Sequence, residues 1–118
     1  SQGHSVASAI EPRKGDWWRA YTQFVDVIGP RLTLAEREVW HVMLRRSSKW
    51  VCETTARTMA TAANIDKGTA SKAFATLEAI GLIWTIWKST DNTKPSSYGL
   101  HPQPSECLAK LLKWEARK

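Results

Sequence analysis

A mostly α-helical domain carrying a small β-hairpin is what this sequence predicts, and three observations predict it. Apolar residues recur at helical spacing in several segments, each bounded by Gly, Pro, Asn or a capping residue. Only two short runs, KWVCE and LIWTIWKS with its return YGL, are rich in strand formers. The length of 118 residues, with 42% hydrophobic and 24% charged residues, fits one globular domain. No apolar run nears the roughly 20 residues of a membrane span, and the N-terminus SQGHSVASAIEPRKGD lacks a signal-peptide core. A soluble cytoplasmic protein with no membrane partner is therefore expected.

Residues 1–15 are small, polar and interrupted by Gly3, Pro12 and Gly15, and read as a disordered lead-in, with 1–4 a cloning remnant. The domain proper spans 16–104. Trp17, Tyr21, Phe24, Val25 and Ile28 then predict a helix over 17–28, capped by Asp16 and stopped by Gly29 and Pro30. Thr33 and Glu36 have capping-box spacing and open a second helix that buries Trp40, Met43 and Leu44. KWVCE is a short strand. Thr54 or Thr55 caps a third helix with a small-residue stripe of Ala56, Met59, Ala60 and Ala63. Asn64 suits the left-handed residue that ends it, and Asp66 caps a fourth helix over 67–79 that buries Ala70, Ala73, Phe74 and Leu77. Gly81 stops that helix. A hairpin follows, and Ser105 opens an amphipathic C-terminal helix over 105–118. Its last stretch, ECLAKLLKWEARK, has no stop signal, which reads as a domain cut from a longer protein.

The order helix, strand, helix, tight turn, helix, hairpin, with MATAANIDKGTASKAFATLEAIGLI over 59–83, resembles the winged helix-turn-helix family. The likeness is to MarR-type regulators and to the winged-helix domains of plasmid and phage replication initiators, here with extra N- and C-terminal helices. It covers roughly 34–100. It rests on Ala60 where two helices cross, Asn64 at the turn, Ile65 beneath it, Ala70 in the second helix, and LEAIGLI where the recognition helix gives way to the wing. The resemblance implies a double-stranded DNA partner, in transcriptional regulation or replication initiation. The alternative is a winged-helix protein–protein interaction module.

Charge agrees with a DNA partner. The chain holds 17 Lys+Arg and 11 Asp+Glu, a net +6. Between Arg45 and Thr76, six cations (Arg45, Arg46, Lys49, Arg57, Lys67, Lys72) outweigh Glu53 and Asp66, contributing +4 of that total. With one face of the fourth helix buried, Lys67, Gly68, Thr69, Ser71 and Lys72 face outward and are the candidate base readers. Arg45, Arg46, Lys49, Thr54, Thr55, Arg57 and Thr76 are candidate phosphate contacts, and Lys88 and Lys94 are the wing's. No Arg, Asn or Gln lies on the reading face, so bidentate base recognition is absent there, and dimerisation or shape readout must raise specificity.

Seven Trp stand against two Tyr and two Phe. Trp40 and Trp50 read as core. The others fall on the terminal helices and wing strand, where Trp17, Tyr21, Phe24, Leu108, Leu111 and Trp114 are the candidate interface of a homodimer or of a protein partner. Cys52 and Cys107 are isolated, and His41 and His101 lack ligand spacing, so no metal site, disulfide or cofactor is expected. No nucleophile motif or phosphate loop supports catalysis, and no catalytic residue is assigned.

Overall fold

A computed structural model describes residues 15–91 and 93–117. Of the lead-in expected at 1–15, residues 1–14, with the remnant at 1–4, lie outside the described residues, as does the final residue of the chain, while Gly15 is the ordered cap of the first helix. Helix α1 spans Asp16–Gln23, and its N-cap is Gly15 in the left-handed region (φ 96°), not Asp16. Asp16 instead occupies the first turn, where a carboxylate favours the helix dipole and lies 3.6 Å from Arg19. The chain continues helically to the expected stop, but through a π turn at Phe24–Ile28 and a 3-10 turn at Gly29–Arg31.

Helix α2, Leu34–Arg46, starts on the predicted capping box: the Glu36 amide donates to Thr33 Oγ1 (3.2 Å), and the Thr33 amide donates to Glu36 Oε1 (2.9 Å). Two otherwise orphaned amides are satisfied this way. Its inner stripe is Val39, Trp40, Met43 and Leu44, and Trp40 stacks on Phe24 with centroids 3.8 Å apart. This stack pins the N-terminal helical segment onto the domain. Burying each such large side chain contributes about 2–3 kcal/mol.

KWVCE is only partly strand. Lys49 and Trp50 both have positive φ (53° and 66°) and form a two-residue turn closed by reciprocal Ser48 and Val51 backbone bonds of 2.8 and 3.0 Å. Strand β1 is Val51–Thr54. Thr55, not Thr54, caps helix α3 (Ala56–Ala63), accepting from the Thr58 amide at 3.0 Å. Asn64 adopts φ 59°, ψ 47°, as its tolerance of that region predicts, and the Ile65 amide closes the turn on Ala60. Asp66 then caps helix α4, Lys67–Ala79, which buries Ala70, Ala73, Phe74 and Leu77. Gly81 (φ 84°) ends α4, with the Leu82 amide reaching back to the Leu77 carbonyl at 3.0 Å.

Strands β2 (Ile83–Trp87) and β3 (Ser96–Leu100) form the hairpin, and β3 also pairs with β1, giving an antiparallel sheet of order β1-β3-β2. A 3-10 turn, Pro104–Cys107, precedes helix α5, Leu108–Ala116. The expected start of α5 at Ser105 is thus tightened into that turn. The Ser105 amide and hydroxyl donate to Gln23 Oε1, and Arg31 pairs with Glu115 at 2.9 Å, so α5 is tied to the end of the N-terminal helical segment. The whole is mostly helical with one small sheet, in the winged helix-turn-helix arrangement with a helix added at each end.

Candidate nucleic-acid interface

Helices α3 and α4 and their left-handed turn present the outward surface of the motif. Lys67, Gly68, Ser71 and Lys72 are exposed on α4, because its other side is committed to Ala70, Ala73, Phe74 and Leu77. Thr69 is half-buried, and its hydroxyl donates to Asp66 Oδ1 while its amide donates to Oδ2 at 2.9 Å. Its proton is therefore taken by the cap, and what Thr69 offers outward is its methyl group and lone pairs. The Thr69 hydroxyl and amide together hold the Asp66 carboxyl below the usual carboxylate range. A fixed negative charge thus sits at the start of α4, next to Lys67. Sequence pattern identified the cap and overlooked this electrostatic consequence.

Phosphate-facing candidates divide. Thr55 is half-buried at the N-cap of α3, and Arg57 is exposed in its first turn. Thr76 is half-buried one turn beyond Lys72. Thr54 is a correction: it is 3% exposed, and its hydroxyl donates to the Thr55 carbonyl, so it belongs to the sheet interior and offers nothing to a phosphate.

Arg45 and Arg46 are exposed in the last turn of α2, and Lys49 is exposed in the turn before β1. Val51 faces Gly99, far from the hairpin loop, whereas Thr54 faces Ser96 beside it. At about 3.3 Å per residue, the length of β1 alone separates the Lys49 turn from the Thr55 cap by roughly 10 Å. Burial lowers the His41 imidazole below its ordinary value, with Glu38 opposing and Arg37 and Arg45 reinforcing the shift. Burial likewise raises the Cys52 thiol to about 11, and the Arg46 charge opposes it. Of the six-cation run of the sequence, Arg57, Lys67 and Lys72 stand on the helix-turn-helix, and Arg45, Arg46 and Lys49 stand at the end of α2 and in the turn before β1.

The wing carries Lys88 and Lys94, both exposed. Between them, Asp91 Oδ1 accepts from the amide and hydroxyl of Thr93 at 2.9 and 2.8 Å, which holds its carboxyl below the usual range. Asn92 lies outside the described residues. Thr85 donates to Glu78 Oε2 at 2.8 Å and so ties β2, and with it the hairpin, to α4. Trp84 lies across Gly99: a Cβ there would meet the indole at 2.4 Å.

The candidate partner interface is also redrawn. Phe24 and Leu111 are fully buried and belong to the core, which removes them from any docking surface. Tyr21, Leu108 and Trp114 are half-buried against that core. Trp17 (42% exposed) and Trp18 (62%) stand outside it, with Tyr21 stacked 5.6 Å from Trp17 and 5.3 Å from Trp18. Leu112 is also exposed on α5. Trp18 is adjacent to the apolar stripe of α1, not on it, which is why helical periodicity did not single it out for the interface.

Among the described residues, no helix is long and apolar enough to cross a membrane, and no group of three or more His, Cys, Asp or Glu is placed to hold a metal. No family model and no curated protein matches the chain. Among solved structures, the chain is similar to Bordetella bronchiseptica BpsR, whose DNA binding is regulated by 6-hydroxynicotinic acid. The TM-score is 0.48 and the identity 19%, over 88% of this chain and 75% of that one, too distant a likeness to bear on function.

Proposed function

We propose that the domain binds double-stranded DNA, with α4 in the major groove, in transcriptional regulation or in plasmid or phage replication initiation in the cytoplasm. The observation that carries this reading is the outward surface of α4. Lys67, Gly68, Ser71 and Lys72 are exposed together there, beside the Thr55-capped start of α3 with Arg57 and a wing tied to α4 by the bond between Thr85 and Glu78. Lys67 and Lys72 read guanine edges or hold flanking phosphates, Ser71 and the Thr69 methyl contact base edges, and Gly68 lets the backbone approach closely. Thr55, Arg57 and Thr76 are the phosphate contacts, and Lys88 and Lys94 serve the wing.

The test is a salt titration of duplex binding with and without Lys72→Ala. Wild-type affinity should fall steeply with salt, and K72A should lower the slope by about one unit. An unchanged slope and affinity in both Lys67→Ala and Lys72→Ala would remove α4 from the groove.

A homodimer is part of the same reading, built on Trp17, Trp18 and Tyr21 of α1 with Leu108, Leu112 and Trp114 of α5. Sedimentation at high protein concentration decides it, and a monomer there would refute it. The aromatic surface of α1 also favours a second reading, a protein-interaction module. Failure to bind any duplex, with a partner retained by wild type and lost on Trp18→Ala, would select that one.

A further inference from the structure

We propose that Asp66 is a base-reading residue: its carboxylate accepts a hydrogen bond from the exocyclic amino group of a cytosine in the major groove, so the domain selects cytosine at one fixed position. The inference rests on the DNA-binding reading with α4 in the groove and adds to it the base that the start of α4 selects.

Asp66 is exposed at the N-terminal end of α4, the end by which a recognition helix meets base edges. Its carboxylate is held in place, with Oδ2 accepting from the Thr69 amide at 2.9 Å and Oδ1 from the Thr69 hydroxyl. The same bonds keep it ionised. Each carboxylate oxygen has two lone pairs, so both retain acceptor capacity beyond the bonds to Thr69. Among the described residues, no cation lies within ion-pair distance of it. Gly68 keeps one approach open: a Cβ built there would stand 3.1 Å from Oδ2 and crowd whatever docks against that oxygen.

A fixed anion in a DNA interface selects by what it repels as much as by what it binds. Phosphate oxygens and most major-groove base atoms are acceptors, as the carboxylate is. The donors on those base edges are the amino groups of cytosine and adenine. In adenine the amino group stands beside the N7 acceptor, whereas in cytosine no acceptor adjoins it on that base, so a group that only accepts favours cytosine. The guanine paired with that cytosine offers O6 and N7 to a donor, and the next residue, Lys67, is an exposed donor. Asp66 and Lys67 therefore present an acceptor and a donor, the complement of one C·G pair. That is where readout is needed, because α4 carries no Arg, Asn or Gln on its outward face.

The test exploits the cap. Asn and Ser cap helices about as well as Asp, so Asp66→Asn and Asp66→Ser keep α4 while changing what its start shows the groove. Wild type and both variants each select duplexes from a random-sequence library. Affinities are then compared by anisotropy on duplexes that differ at one base pair, and unchanged circular dichroism confirms the fold. The readout is a ratio of affinities, so the uniform gain from removing a negative charge cancels.

Wild type should enrich cytosine at one position and bind it about tenfold more tightly than thymine there. Asp66→Asn should move that preference to adenine, whose N6 and N7 match the donor and acceptor of Asn, and Asp66→Ser should reduce it to about twofold or less. Identical preferences in all three proteins, or a uniform rise in affinity without a change of preference, overturn the proposal and leave α4 in the groove. Loss of preference at several positions together overturns it in favour of a cap that only positions the helix. Wild type that binds duplexes without enriching any base also overturns it, and absence of any duplex binding overturns both readings.

Discussion

Replacing Gly99 by alanine should destabilise the domain through a single contact. A Cβ built at Gly99 would sit 2.4 Å from Cε2 and Nε1 of Trp84 and 2.7 Å from Cζ2. Carbon atoms pack at about 3.5–4.0 Å, so the indole must move by about 1 Å or more. Gly99 is on the central strand, paired with Val51 on one side and Trp84 on the other, so the backbone has little freedom to give instead. Overpacking of this kind costs about 1–3 kcal/mol. At about 4 °C per kcal/mol for a domain of this size, G99A should lower Tm by about 4–12 °C. Trp84→Ala removes the obstacle. In that background, Gly99→Ala should be neutral or stabilising by about 0.5 kcal/mol, because alanine loses less backbone entropy than glycine on folding. Thermal denaturation of wild type, both single variants and the double variant closes the cycle, with a coupling energy above about 1 kcal/mol expected. A coupling below about 0.3 kcal/mol would show that the indole does not hold this position over β3.

Lys49→Gly should raise stability by a few tenths to about 1 kcal/mol in a urea melt, since Lys49 holds φ 53°, a region that glycine enters without steric cost. Asp66→Asn keeps a capping side chain and removes the anion beside Lys67; duplex binding should tighten at low salt with the fold intact, as measured by anisotropy. Burial lowers both His41 and His101 below their ordinary value. The unfolded chain therefore binds more protons than the native state in the acid range, and stability rises with pH there. It is fully present above about pH 6.5 and should fall as the pH drops below that, seen as a lower Tm at acid pH. Replacing both histidines, His41→Gln with His101→Gln, should flatten that part of the profile.

Most of the secondary structure was legible because its signals are local. The Thr33/Glu36 box, the left-handed Asn64, the Asp66 cap and the Gly81 stop each act within a few residues, so spacing alone identifies them. Lys49 and Trp50 were misread because their turn uses residues that ordinarily avoid positive φ, and the reciprocal Ser48 and Val51 bonds that close it are not visible in composition. The candidate site was legible as a set of residue types. Its membership was not: Thr54 and Thr55 are equivalent in sequence, yet one ends a buried strand and the other caps an exposed helix start.

The sequence by itself determined the element order, the apolar faces and the net positive charge, because backbone preferences and hydrophobic spacing are properties of short segments. Only the tertiary structure decided depth and side. Trp17 and Phe24 share one helical stripe, but Phe24 is covered by Trp40 while nearly half of Trp17 stays in solvent (42% exposed). Arg46 and Arg57 share one basic run, but β1 carries them to different ends of the sheet. Periodicity states which way a side chain points along its own element. What lies in front of it is fixed by elements distant in the chain, as Trp40 covers Phe24 and Glu115 holds Arg31.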